Sequence, residues 1–242
     1  MVFEMVRWIL LEFALLLSIF TPKPHQAPVS NLPQEVVALT FDADMTQGMY
    51  DKLEKGKVAS WYNKDVIDIL EKDKVPATIF VTGLWAKAYP GVTKELFDNP
   101  LFEIGNHSYS HPSFVSTCFN LPKIGNREAE FKDSQEILRS ITGVYPRLFR
   151  FPGGCYNKSD LDIAKKYNLT VVGWDVVSGD AFNSDTKLII RRVEGKVRSG
   201  SIVVMHLNGN KNAPSTAKAL PEIISFLRSK GYTFVKVSQL GY

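Results

Sequence analysis

The chain has 242 residues, of which 45% are hydrophobic, enough to bury a sizeable core in one main domain. Its net charge is +4, and the lysines and arginines are scattered, which excludes a concentrated nucleic-acid footprint. The absence of short repeats and low-complexity tracts argues against a solenoid or a disordered chain.

The N-terminal stretch MVFEMVRWILLEFALLLSIF places Arg7 before an apolar run from Trp8 to Phe20 that is interrupted by Glu12. A run of about 13 residues has the length of a signal-peptide core and falls short of the roughly 20 needed to span a bilayer. Residues 1–20 are therefore read as a signal peptide or N-terminal membrane anchor, and the Pro-containing stretch 21–34 as a linker. An amphipathic helix packed on the domain is the alternative. Export to the cell exterior, cell wall or membrane surface is expected, with membrane contact through this segment only.

From residue 35 onward, β-rich apolar runs alternate with helical patterns. Expected strands are Val36 to Phe41, Thr78 to Val81, Phe102 to Gly105, Leu148 to Arg150, Thr170 to Gly173, Ser201 to Met205 and Thr233 to Val237. Between them, helical spacing is read around Val66, Ile69 and Leu70, over Ile124 to Ile141, Leu161 to Tyr167 and Thr186 to Val197, and through Leu220, Ile223, Ile224 and Leu227. Gly231 stands where that last helix should end. The alternation predicts an α/β fold of parallel strands closed or nearly closed into a barrel. Catalytic groups in such folds gather at the C-terminal ends of the strands.

Chemistry-bearing residues do follow the expected strands. VVALTFDADMT ends in Asp42 and Asp44, which share a face in an extended chain and would repel unless a proton or cation stood between them. His107 and His111 in NHSYSH are four apart, a spacing that one helical turn or a tight loop can aim at a divalent ion. A divalent ion lowers the pKa of water, and a nearby carboxylate can then act as base. His206 ends SIVVMH and suits a general acid if a carboxylate such as Asp180 keeps it protonated. Arg150, in LFRFPGGCYN, can fix a carboxylate base, and the turn through Gly153 and Gly154 can present N–H groups to an oxyanion. The two cysteines, Cys118 and Cys155, follow two of these motifs; they form either one disulfide or two buried thiols.

In this order TFDAD (40–44), HSYSH (107–111), RFPGG (150–154), DVVSGDA (175–181) and VMH (204–206) resemble the five motifs of the polysaccharide deacetylases of carbohydrate esterase family 4, the NodB homology family. The resemblance covers about residues 35–240 and implies a distorted (β/α)7-type barrel that hydrolyses N-acetyl groups on a glycan such as peptidoglycan or chitin, releasing acetate. It implies Asp42 as base, Arg150 as its orienting cation, His107 and His111 as metal ligands, and Gly153 as oxyanion donor. His206 becomes the general acid, tuned by Asp180. The expected cofactor is a divalent ion, Zn2+ before Co2+ or Ni2+, and the expected partner is an acetylated polysaccharide, with no nucleic acid.

Three departures stand out. Ala43 occupies the position of the family's metal-binding aspartate, so either Asp44 reaches the ion or the two histidines hold it with water or another group. Ala181 replaces the tryptophan after Asp180, and Gly153 replaces a bulky residue, both of which are expected to widen the sugar groove. An amidase or esterase acting on another acyl group, or a non-catalytic carbohydrate-binding relative, are the alternatives.

Overall fold

The computed structural model describes residues 35–242. The expected signal peptide or anchor and the linker, residues 1–34, lie outside the described residues. Among the described residues no helix is long and apolar enough to cross a membrane.

In chain order the elements are β1 (Val36–Ala43), α1 (Gln47–Glu54), α2 (Lys64–Lys72), β2 (Ala77–Val81), α3 (Gly83–Ala88), α4 (Pro90–Asp98), β3 (Phe102–Asn106), α5 (Arg127–Thr142), β4 (Leu148–Phe149), α6 (Lys158–Lys166), β5 (Thr170–Val171), β6 (Val176–Val177), α7 (Thr186–Glu194), β7 (Ser201–His206), α8 (Thr216–Ser229) and β8 (Thr233–Phe234). Every strand pairing is parallel, in the order β5-β4-β3-β2-β1-β7-β6, with β8 also on β1. The two edges, β5 and β6, are joined by residues 172–175 but do not pair, so the sheet curls into a half-barrel with one open seam.

Strand periodicity sorts β1 onto two faces. Val37, Leu39, Phe41 and Ala43 enter the outer core with the helix residues Val66, Leu70, Leu220 and Ile223. Val36 and Ala38 enter the inner cluster with Phe80, Leu148, Val172 and Ile202. Thr40 and Asp42 continue that inner row, which is why the strand's last polar side chains meet inside the barrel mouth. The same alternation on β7 sends Val203 and Met205 outward and His206 inward. Gly105 is required on the inner row of β3, because a Cβ there would lie 2.5 Å from the Phe80 ring.

The helices form where an apolar stripe meets this outer layer. In α8 Leu220, Ile223, Ile224 and Leu227 are buried, and Gly231 takes φ +82°, a left-handed turn that glycine adopts without a side-chain penalty. Differences from the sequence reading are local. Helix α5 begins at Arg127 rather than Ile124, and α7 ends at Glu194 rather than Val197. Strand β6 and helices α1, α3 and α4 were not anticipated. Two residues carry no readable strand period, and α3 is buried over Gly83 to Ala86, without the polar face that marks an amphipathic helix.

Candidate active site

Arg150 follows β4 directly and is completely buried. Its Nη1 donates to Thr40 Oγ1 and to Asp42 Oδ1, each at 2.7 Å, while Nη2 reaches the Gly173 carbonyl at 3.1 Å. The guanidinium lies 4.0 Å from the centre of the Phe80 ring. Burial lowers the Arg150 pKa and the Asp42 carboxylate opposes that, so the pair is a fixed cation holding a fixed carboxylate. Through its bond to Gly173, Arg150 also ties β4 to the chain segment that crosses the seam.

The HSYSH segment is a tight loop, with Ser108 and His111 both in the left-handed region at φ 68° and 56°. Such backbone is costly for residues other than glycine and must be enforced by its surroundings. Glu130 on α5 enforces it, accepting the Tyr109 and Ser110 N–H groups at 2.8 Å each and the Ser110 hydroxyl at 2.6 Å. His107 Nδ1 lies 2.7 Å from the Arg150 carbonyl. That bond needs a proton on Nδ1 and leaves the Nε2 lone pair facing the barrel mouth.

Asp44 completes this corner. Its Oδ1 lies 3.3 Å from His107 Nε2 and 3.3 Å from His111 Nε2, and its Oδ2 is 3.7 Å from His206 Nε2. Asn208 fixes the Asp44 backbone from both sides, accepting its N–H at 2.9 Å and donating to its carbonyl at 2.8 Å. Ala43 points the other way, into the outer core. A carboxylate at position 43 would therefore face the helices, and the one two residues from Asp42 shares the inner side.

The donor set fits a divalent ion. Among the described residues, Asp44 Oδ1 is a buried polar atom without a hydrogen-bond partner; Trp85 Nε1 is the other. A tetrahedral site with bonds of about 2.0–2.1 Å separates its ligand atoms by about 3.4 Å, close to the observed spacing of Oδ1 from the two nitrogens. The electrostatics agree. Burial raises the Asp44 pKa, but His111, His107 and His206 overcome it and hold the group well below the usual carboxylate range. Burial pushes His111 down to about 4, leaving it a neutral ligand. For His107 burial is outweighed by Asp42 and Asp44, which raise its pKa.

On the opposite side His206 Nδ1 lies 2.8 Å from Asp180 Oδ1, and the His206 N–H donates to Asp180 Oδ2 at 2.8 Å. Thr216 Oγ1 donates to the same Oδ2 at 2.7 Å, so the carboxylate cannot swing away. Burial disfavours the imidazolium, yet Asp180, Asp44 and Asp42 raise the His206 pKa to about 10, which keeps it charged at neutral pH. Its Nε2 proton then faces the site.

The turn after Arg150 places Gly153 and Gly154 at φ 61° and 69°. Gly154 N–H donates to the Phe151 carbonyl at 2.9 Å and is committed, whereas Gly153 N–H has no partner among the described residues. Of the two glycines expected to serve an oxyanion, only Gly153 presents an open donor. Cys118 and Cys155 form a disulfide that ties the loop beyond His111 to this turn.

Of the anticipated residues, Asp42, Asp44, His107, His111, Arg150, Asp180 and His206 are linked by contacts at one mouth, and Gly153 and Gly154 follow Arg150 in the next turn. Thr40, Asn208 and Glu130 were not anticipated. Asn208 stands two residues after His206, on the same strand-end alternation, and was findable. Glu130 lies in the charged run REAEFKDSQE, which reads as a solvated face.

A model of the family described as polysaccharide deacetylase matches residues 30–172. The peptidoglycan-N-acetylmuramic acid deacetylase PdaC of Bacillus subtilis is 32% identical over 209 residues, 86% of this chain and 39% of the relative. A solved peptidoglycan N-acetylglucosamine deacetylase superposes with TM-score 0.70 at 26% identity, covering 85% of this chain and 87% of that one. A pseudoenzyme of carbohydrate esterase family 4 from Bacillus anthracis superposes with TM-score 0.68 at 25% identity, covering 85% and 65%. The chain spans 53%, 63% and 39% of the length of the first three curated relatives it matches. With the family model matched over more than half of its residues, and the strand-end groups assembled at one mouth, the chain belongs to the polysaccharide deacetylase family.

Proposed function

We propose that this chain is an exported, metal-dependent deacetylase that hydrolyses N-acetyl groups on a cell-wall polysaccharide, with N-acetylglucosamine units of peptidoglycan or a chitin-like glycan as substrate. The observation that carries the reading is Asp44 Oδ1, orphaned between two imidazole nitrogens, with an Arg150-fixed carboxylate on one side and an Asp180-fixed imidazolium on the other. The peptidoglycan deacetylases among its relatives support the substrate class. A disulfide suits an oxidising compartment and supports export.

Asp44, His107 and His111 would hold the ion, Zn2+ in the first instance. When bound, it supplies a Lewis acid for the acyl oxygen and lowers the pKa of water. Asp42, immobilised by Arg150 and Thr40, takes the proton of the attacking water. The oxyanion that forms as the new C–O bond closes meets the Gly153 N–H. His206 delivers its Nε2 proton to the sugar nitrogen as the C–N bond breaks, leaving acetate and an amine. Asp180 holds His206 charged and correctly turned throughout.

Acetate release from acetylated chitooligosaccharide and from peptidoglycan, with and without a chelator, tests the reading. Release that stops with chelator and returns with Zn2+ is expected; release indifferent to chelator overturns metal dependence. The second reading, a non-catalytic carbohydrate binder, is favoured by Ala43 at the family's metal-aspartate position. It predicts glycan binding with no acetate from any metal-loaded sample.

A further inference from the structure

Phe119 and Phe182 are 65% and 71% exposed, the two most exposed large apolar side chains among the described residues. They are far apart in sequence, yet their ring centroids are 5.7 Å apart with planes inclined by 35°. Phe119 lies in the loop that continues from His111, and Phe182 is two residues beyond Asp180, the partner of His206. Both lie in segments that leave the C-terminal ends of strands, β3 for Phe119 and β6 for Phe182, the end of the sheet at which the site residues lie.

The backbone is arranged to present them. Phe119 and the next residue, Asn120, are both left-handed, at φ 47° and 57°. An aromatic residue rarely adopts that conformation unless its surroundings impose it. The turn is closed by the Leu121 N–H, which donates to the Cys118 carbonyl at 2.9 Å, and the Cys118–Cys155 disulfide joins it to the Gly153–Gly154 turn. A Cβ at Gly153 would come within 2.6 Å of Cys118 Sγ and 3.0 Å of Phe119 Cδ2. The space a bulky residue at 153 would occupy is therefore taken by the disulfide and the Phe119 ring. Likewise the aromatic surface missing at Ala181 returns one residue later as Phe182. The groove that the sequence led us to expect as widened is refilled from outside the motifs.

We propose that Phe119 and Phe182 form a disulfide-anchored binding platform for the apolar C–H face of a sugar ring beside the acetamide being hydrolysed. The proposal rests on the deacetylase reading for the identity of that sugar. Two exposed rings retain apolar area in water that a stacked ligand can cover, and aromatic faces give such contacts a preferred geometry. Nothing polar at the ring faces is needed, which suits a pyranose face and not an anionic group.

The full chain carrying Asp42→Asn, loaded with Zn2+ and titrated calorimetrically with N-acetylated chitotetraose, reads the platform without turnover. Adding Phe119→Ala and Phe182→Ala together is expected to raise Kd about tenfold or more, since each contact contributes on the order of a factor of several. Phe182→Leu, which keeps apolar bulk, is expected to lose affinity with an unchanged melting temperature, and Phe182→Trp to retain it. The Cys118→Ser/Cys155→Ser pair is expected to weaken binding like the Phe119 change. A Kd within twofold of the parent in the double Phe variant, or a tighter one as for a lid removed, overturns the proposal. A parent chain that binds through the rings while the wild type releases no acetate keeps the platform and overturns the deacetylase reading. Acetate release with affinity indifferent to both rings overturns the platform alone.

Discussion

The floor of the barrel mouth and its rim are built on opposite principles. On the floor Asp42 faces Arg150 and His107, Asp180 accepts from His206, Ser178 and Thr216, and the Asp44 backbone is clamped by Asn208 while its Oδ1 faces His107 and His111. On the rim, Phe119 and Phe182 touch each other and water. Buried charges require such partners because an unpaired one is destabilising, whereas exposed rings can wait for a ligand. If the proposed deacetylase and platform hold, chemistry and glycan recognition are separable, and floor substitutions should act on turnover and metal binding rather than on glycan affinity.

The largest expected effect is on the base. Asp42→Asn keeps the Arg150 contact through its carbonyl oxygen but removes the proton acceptor, and acetate release should fall on the order of a thousandfold with the fold intact by circular dichroism. A variant with near-normal turnover would remove Asp42 from the reaction. Next comes the ion. Asp44→Ala should weaken Zn2+ binding beyond the roughly 100-fold upper range for a supporting residue, and Asn208→Ala should fall within that 10–100-fold range, both read by competition with a chromogenic chelator. Equal affinity in wild type and Asp44→Ala would leave the two histidines to hold the ion without it.

Position 43 sharpens the same contrast. Restoring a carboxylate there places it in the outer core, so Ala43→Asp should destabilise the domain by about 3 kcal/mol in urea unfolding without improving Zn2+ affinity. Gained affinity would mean that the strand end rotates to accept it. The smallest effect concerns pH. The His206 pKa is raised above its unfolded value near 6.5, so the stability contributed by its pairing with Asp180 is complete below about pH 6.5 and lost as pH rises through about 10. In the metal-free chain, Asp180→Asn should bring the His206 titration, followed by NMR, down toward its ordinary range and flatten that part of the stability profile.

Much of the floor was legible because strand alternation is a local rule. Asp42 and Asp44 read as one face, and the structure puts both carboxylates beside the His107 imidazole. The four-residue spacing of His107 and His111 left helix or loop open; Glu130, from a distant helix, decided for a loop. The rim was not legible. Nothing near Phe119 in sequence points to Phe182, and the disulfide that ties the Phe119 loop to the Gly153–Gly154 turn joins residues 37 apart.

By itself the sequence determined the parallel α/β order and the polar strand ends that carry Asp42, Asp44, His107 and His206, because side-chain periodicity and residue chemistry act over a few neighbours. Only the tertiary structure decided that Ala43 turns outward, that Gly154 is committed and Gly153 open, that the cysteines pair, and that two exposed rings meet. Those outcomes depend on which distant atoms share a volume, and close packing leaves each volume to one occupant.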